Sequence, residues 1–184
     1  MRATVGILAL GLLAGVLLGW SQNDGAPPQP LQERLRAVER AIEQQQYDDA
    51  LQQIEALRQQ PQGRTTVLEQ VFLTHLRART LHRLRREDLR QECIALWEQA
   101  RQTHKRLGNT PLEVEATLSL AFCYWRSDRA RAEQLLEEVW QRLRTDQDPS
   151  FELAQVLSFC AEDWFDAQEW SICQRLWERA LMMR

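Results

Sequence analysis

Four times along this chain a small residue is followed four positions later by a bulky apolar one, and three positions after that by another apolar residue. The copies are Ala50-Ile54-Leu57, Cys93-Trp97-Ala100, Ala132-Leu136-Val139 and Cys173-Trp177-Ala180, separated by 43, 39 and 41 positions. Offsets of four and seven return to the same side of an α-helix. Each triplet is therefore one stripe of a helix, small where a neighbouring helix crosses closely and bulky where the next hole must be filled. A chain that repeats such a stripe is expected to build a row of similar helices, each covering its neighbour.

The sequence around the stripes agrees. From Leu31 onward it consists of helix formers, mainly Gln, Glu, Arg, Leu and Ala, with apolar positions recurring at three and four and no sustained period of two. Breakers at Pro61 and Gly63, at Gly108 to Pro111 and at Asp146 to Pro149 divide it into lengths. Shorter polar breaks near Tyr47-Asp48, Arg86 to Asp88, Ser127-Asp128 and Gln168 halve those lengths, which predicts about eight helices in four hairpins. Thr66 with Glu69 reads as a capping box, as does Thr110 with Glu113 and a proline at the first helical position; Asp148 before Pro149 reads as another start.

The first thirty residues differ. Ala3 to Trp20 is an uncharged, leucine-rich run that as a helix spans about 27 Å, enough to cross a bilayer core. Arg2 precedes it and Asp24 follows, so the expected topology is single-pass, with the N-terminus cytoplasmic and the rest across the membrane. The alternative is a signal peptide cleaved near Ser21, leaving a secreted domain. Pro27, Pro28 and Pro30 make residues 21–30 an extended spacer. The expected layout is an anchor at 1–20, a linker at 21–30 and a helical domain at 31–184.

At the level of motifs, this domain resembles the tetratricopeptide repeat family. Gln46-Tyr47-Asp48-Asp49-Ala50-Leu51 and Glu169-Trp170-Ser171-Ile172-Cys173 are similar to the opening of the family's second helix. Leu120-Ala121-x-x-Tyr124 and Cys160-Ala161-x-x-Trp164 are similar to its first-helix signature, with Ala78-x-x-Leu81-x-x-Leu84 a weaker copy and Val38 and Ala41 at those positions in hairpin one. The spacing is longer than the family's usual ~34 residues. The resemblance implies an all-α, right-handed stack of about four antiparallel hairpins, in which first helices line a concave groove that binds a protein or peptide.

On that arrangement the groove lining is Phe72, His75, Arg79 and His82, then Glu115, Leu118, Phe122 and Trp125, then Gln155, Ser158, Glu162 and Phe165, with Phe122, Trp125 and Phe165 as aromatic anchors. The lysine and asparagine clamp that some family members use on a C-terminal carboxylate is not matched, because the single lysine, Lys105, falls on a second helix. The final helix carries apolar residues on more than one side. Trp170, Trp177, Met182 and Met183 are therefore expected to form a terminal interface for a second copy or a partner subunit.

Little points to chemistry. With four of the seven glycines in the first 19 residues, a glycine-rich phosphate loop is excluded from the domain, and no catalytic or zinc motif occurs. His75 and His82 lie two turns apart, about 10 Å, too far to share a metal unaided. The expectation is a non-enzyme without cofactor or metal. A net charge of -3 gives no global basic field for nucleic acid, although hairpin two is basic and hairpins three and four are acidic. Trp97, Trp164 and Trp177 fall on the stripes and are expected in the core. The cysteines are expected to be reduced, with a Cys160 to Cys173 bridge as the alternative. Two functional classes follow, a membrane-tethered adaptor and a structural subunit buried in a larger membrane complex.

Overall fold

A computed structural model describes residues 29–59, 66–145 and 150–183. The anchor at 3–20, most of the linker and the breaks at Pro61-Gly63 and Asp146 to Pro149 lie outside the described residues. Among the described residues the chain is all-helical, with eight α-helices and no strand. They are α1 (Gln29–Glu43), α2 (Tyr47–Arg58), α3 (Val67–Leu84), α4 (Arg90–Leu107), α5 (Thr110–Tyr124), α6 (Arg129–Thr145), α7 (Phe151–Asp166) and α8 (Trp170–Met182). None is long and apolar enough to cross a membrane. They form two compact units, one ending at Leu89 and the other beginning at Arg90.

In the first unit α1, α2 and α3 pack mutually. Leu35, Val38, Ala41 and Ile42 of α1 are buried, as are Ala50, Ile54 and Leu57 of α2. Arg77 of α3 reaches Glu55 of α2 at 3.2 Å. The capping box closes as expected: Thr66 Oγ1 accepts from the Glu69 N–H at 3.3 Å, and Glu69 accepts from the Thr66 N–H at 2.5 Å. Gln29 and Pro30 already belong to α1, where a proline in the first turn lacks only an N–H that no helix would use.

In the second unit α5 is the central helix, packed against α4, α6 and α7, while α7 also packs on α8. Nine of its residues, Leu112 and Val114 to Ala121, are buried, the pattern of a helix enclosed on all sides. Two starts fall one or two residues from the expected positions. Asn109, not Thr110, caps α5, its side chain accepting from Leu112 N–H at 3.2 Å. Ser150, not Asp148, caps α7, accepting from Leu153 N–H at 3.1 Å.

Three corners share one geometry. Gln45 after α1, Gly108 after α4 and Gln168 after α7 adopt φ of 60°, 68° and 63°. The next residue then donates its N–H back across the helix end: Gln46 to Ala41 O at 2.8 Å, Asn109 to His104 O at 3.0 Å, Glu169 to Trp164 O at 2.9 Å. This is the Schellman ending, in which a left-handed residue turns the chain so that orphan carbonyls are satisfied. The donors themselves start the next helices, at φ, ψ of -88°, 63°, of -85°, 83° and of -90°, 66°. Two residues thus end one helix and begin another.

Candidate functional site

The stripes sit in the core. The small positions Ala50, Cys93, Ala132 and Cys173 are all buried, and so are Leu57, Ala100, Val139 and Ala180. Of the bulky positions Ile54, Trp97 and Leu136 are buried, whereas Trp177 is 40% exposed. Trp164 is buried as expected, but Trp177 is not a core residue.

The expected groove lining is largely interior rather than surface. Phe72, His75, Arg79 and His82 of α3 are buried, with Arg79 and His75 in contact at 3.4 Å one turn apart. Glu115 and Leu118 are buried because α5 is surrounded by three helices and has no free side. Gln155 is buried as well, while Ser158, Glu162 and Phe122 are half-buried. Only Phe165, at 44%, is exposed.

Trp125, expected as an anchor for a partner, is committed to its own fold. Its ring meets Trp164 edge-to-face at 4.8 Å and 87°, and Phe122 meets the same Trp164 at 5.3 Å and 83°. The Arg129 guanidinium lies over the Trp125 ring at 3.2 Å, and the indole Nε1 donates to Glu169. With an aromatic neighbour, a guanidinium over the ring and the polar handle satisfied, this ring is held within its own fold.

The surface that remains open is on the last helix. Cys173, Leu176, Ala180 and Met183 form its inner side and are buried, so Met183 packs inward instead of joining a terminal interface. Trp170, Trp177 and Leu181, at offsets of seven and eleven, share a second side and are 56%, 40% and 66% exposed. Phe165 completes this patch, edge-to-face with Trp170 at 4.9 Å and tilted against Trp177 at 5.9 Å. Arg175, Arg179 and Met182 take a third side. At about 100° per residue the three sides stand roughly a third of a turn apart.

The third side borders a crevice of about 480 Å³ against Trp140, Leu143 and Arg144 of α6. The Arg175 guanidinium stacks on the Trp140 ring at 4.1 Å. Arg179 donates to the Leu143 carbonyl at 2.6 Å, satisfying one of the unpaired carbonyls in the last turn of α6. Arg144 pairs with Glu137 at 2.7 Å on the surface. Sequence spacing indicated the extra apolar side of α8 but not this arginine-lined edge, which depends on where α6 lies.

Among the described residues the four cysteines are thiols: Cys93, Cys160 and Cys173 are buried and Cys123 is half-buried. Burial pushes the Cys173 thiol above its ordinary value. For Cys93 a hydrogen bond with Cys123 raises it most, followed by burial.

No family model matches this chain, and neither a curated protein nor a solved structure matches it.

Proposed function

We propose that this chain is a membrane-tethered helical adaptor that holds a protein partner on the outer side of its last helix. The observation that carries this reading is the patch of Phe165, Trp170, Trp177 and Leu181, four large apolar side chains gathered on one surface and open to solvent. Leaving such side chains partly in water forgoes a share of the roughly 1.5 to 3 kcal/mol that full burial of each brings, and contiguous patches of this kind mark interfaces. The rings already touch one another, so a partner meets a pre-ordered surface.

A tetratricopeptide-like stack supplies the scaffold in this reading. It is supported by the four buried small positions of the stripes and by the packing of successive helices within each unit. Residues 3–20 supply the tether, with the domain on the non-cytoplasmic side. Because most of the first-helix lining is interior, the partner is assigned to α8 and not to a concave groove. The second reading, a subunit permanently enclosed in a membrane complex, draws on the apolar residues that occupy two sides of α8.

The test is capture from detergent-solubilised membranes with the full chain and with a Trp170→Ala, Trp177→Ala, Leu181→Ser variant, using Glu133→Ala on the surface of α6 as control. Loss of a partner by the triple variant and retention by the control is expected. Retention by both removes the patch as the interface. A partner that exchanges freely with added competitor identifies the adaptor, and one that never exchanges identifies the permanent subunit.

A further inference from the structure

Cys93 of α4 and Cys123 of α5 lie on helices that pack directly against one another, and their sulfur atoms are within 4.8 Å. A sulfur–sulfur bond is about 2 Å long, so joining them requires the two side chains to turn toward each other and α4 and α5 to adjust. The two thiols differ in access: Cys93 is 3% exposed, whereas Cys123 is half-buried in the last turn of α5. Arg90, one turn before Cys93, reaches over this end of α5. Its guanidinium donates to the Cys123 carbonyl at 2.9 Å and also to the Ser127 hydroxyl. These bonds fix Arg90 at the end of α5 that carries Cys123, the more accessible of the two thiols.

We propose that Cys93 and Cys123 form a dithiol site that a small-molecule disulfide closes to an intramolecular bridge, with Cys123 attacking first and Cys93 resolving. In the first step the Cys123 thiolate attacks one sulfur of the small disulfide. A mixed disulfide forms on Cys123 and one small thiolate leaves. In the second step Cys93 gives up its proton to solvent or to the departing thiolate and attacks the Cys123 sulfur, releasing the second small thiol. Two protein thiols are oxidised to one disulfide while one small disulfide is reduced to two thiols. The order follows from access and from protonation, since the hydrogen bond with Cys123 and burial keep Cys93 as a thiol until its partner has reacted.

Cys160 and Cys173 are the internal controls, because both are buried on α7 and α8. The slot of Cys93 is filled by Ala50 and Ala132 in two other copies of the stripe, so Cys93→Ala suits the packing there. The experiment treats the reduced full chain in detergent with oxidised glutathione. Remaining thiols are then alkylated after denaturation and the digest is mapped by mass spectrometry.

The wild-type chain is expected to lose two of its four thiols and to yield a linked pair of peptides containing Cys93 and Cys123. Cys93→Ala is expected to stop at a glutathione adduct on Cys123, and Cys123→Ser to leave Cys93 unmodified. Circular dichroism of each variant confirms that it is folded before it is scored. Four alkylated thiols in the wild-type chain overturn the proposal, as does a link between Cys160 and Cys173 in place of the expected one. Glutathione on Cys93 in a folded Cys123→Ser chain overturns the assigned order.

Discussion

The indole Nε1 of Trp125 donates to the carboxylate of Glu169 at 2.5 Å, across 44 positions of sequence. Trp125 stands at the end of α5 and Glu169 at the start of α8, so one bond ties the central helix of the second unit to its last corner. Glu169 makes no side-chain bond to its own helix; its carboxylate instead serves Trp125 and lies 3.7 Å from Arg129.

Trp125→Ala removes ring packing, cation–π contact and hydrogen bond together, and is expected to lower unfolding free energy by about 3 to 5 kcal/mol. Trp125→Phe keeps an aromatic ring and loses the donor, for about 1 to 2 kcal/mol. Glu169→Gln keeps an acceptor and is expected to lose less than about 1 kcal/mol. Urea unfolding monitored by circular dichroism measures all three. A Glu169→Gln loss as large as that of Trp125→Ala would move the stabilisation from ring packing to charge.

Trp97 and Trp177 occupy the same position of the stripe but differ in burial, 1% against 40%. Trp97→Ala opens a core cavity and is expected to cost about 3 to 5 kcal/mol. Trp177→Ala, which removes a surface ring, is expected to cost under about 1 kcal/mol in the isolated chain. Thermal melts of the two variants give the comparison, and equal losses would contradict the exposed placement of Trp177.

At the shared corners, glutamine occupies the left-handed position twice and glycine once. A non-glycine residue held there is strained by about 1 kcal/mol. Gln45→Gly and Gln168→Gly are each expected to stabilise by up to about 1 kcal/mol, the gain being reduced by the extra freedom of glycine in the unfolded chain. Gly108→Ala is expected to destabilise by about 1 kcal/mol. Nothing lies within 4 Å of an added Cβ there, so the effect is conformational and free of any clash. Chemical denaturation at fixed pH reads the sign of each change.

Burial raises the Glu43 carboxyl above its ordinary value of 4.5, and the nearby Arg79 only partly opposes this. With the folded value above the unfolded one, the unfolded chain ionises first as pH rises. This group's contribution to stability is therefore present below about pH 4.5 and is lost as pH climbs through the raised value. Glu43→Gln is expected to melt at the same temperature as the parent near pH 4 and slightly above it at pH 7. A variant that melts lower at pH 7 would show that attraction to Arg79 outweighs desolvation.

Helix number and most helix breaks were readable because they rest on local chemistry: period, breakers and the Thr66-Glu69 box. The caps at Asn109 and Ser150 were displaced because Asn, Ser, Thr and Asp all make good caps, and neighbouring candidates differ by a single residue. The burial of most of the expected groove lining was not readable for a different reason. Spacing tells which residues share one side of a helix, but not how many other helices surround it, and α5 has three. One signal did exist: Thr110 to Tyr124 has no cation and only two acids, which marks a helix enclosed on every side. The bond from Trp125 to Glu169 and the approach of Cys93 to Cys123 join distant parts of the chain, and no local pattern encodes them.

The division of α8 into three sides has an evolutionary consequence. Changes in a recognition surface usually disturb stability when the same residues serve both roles. Here Cys173, Leu176, Ala180 and Met183 hold the helix down, while Trp170, Trp177 and Leu181 face outward and Arg175 and Arg179 border α6. Under the proposed function, substitution at 170, 177 or 181 therefore alters what the helix binds without first weakening its attachment, whereas the arginine edge is tied to α6. On that proposal, a last helix built this way changes partners over evolutionary time while the scaffold beneath it stays the same.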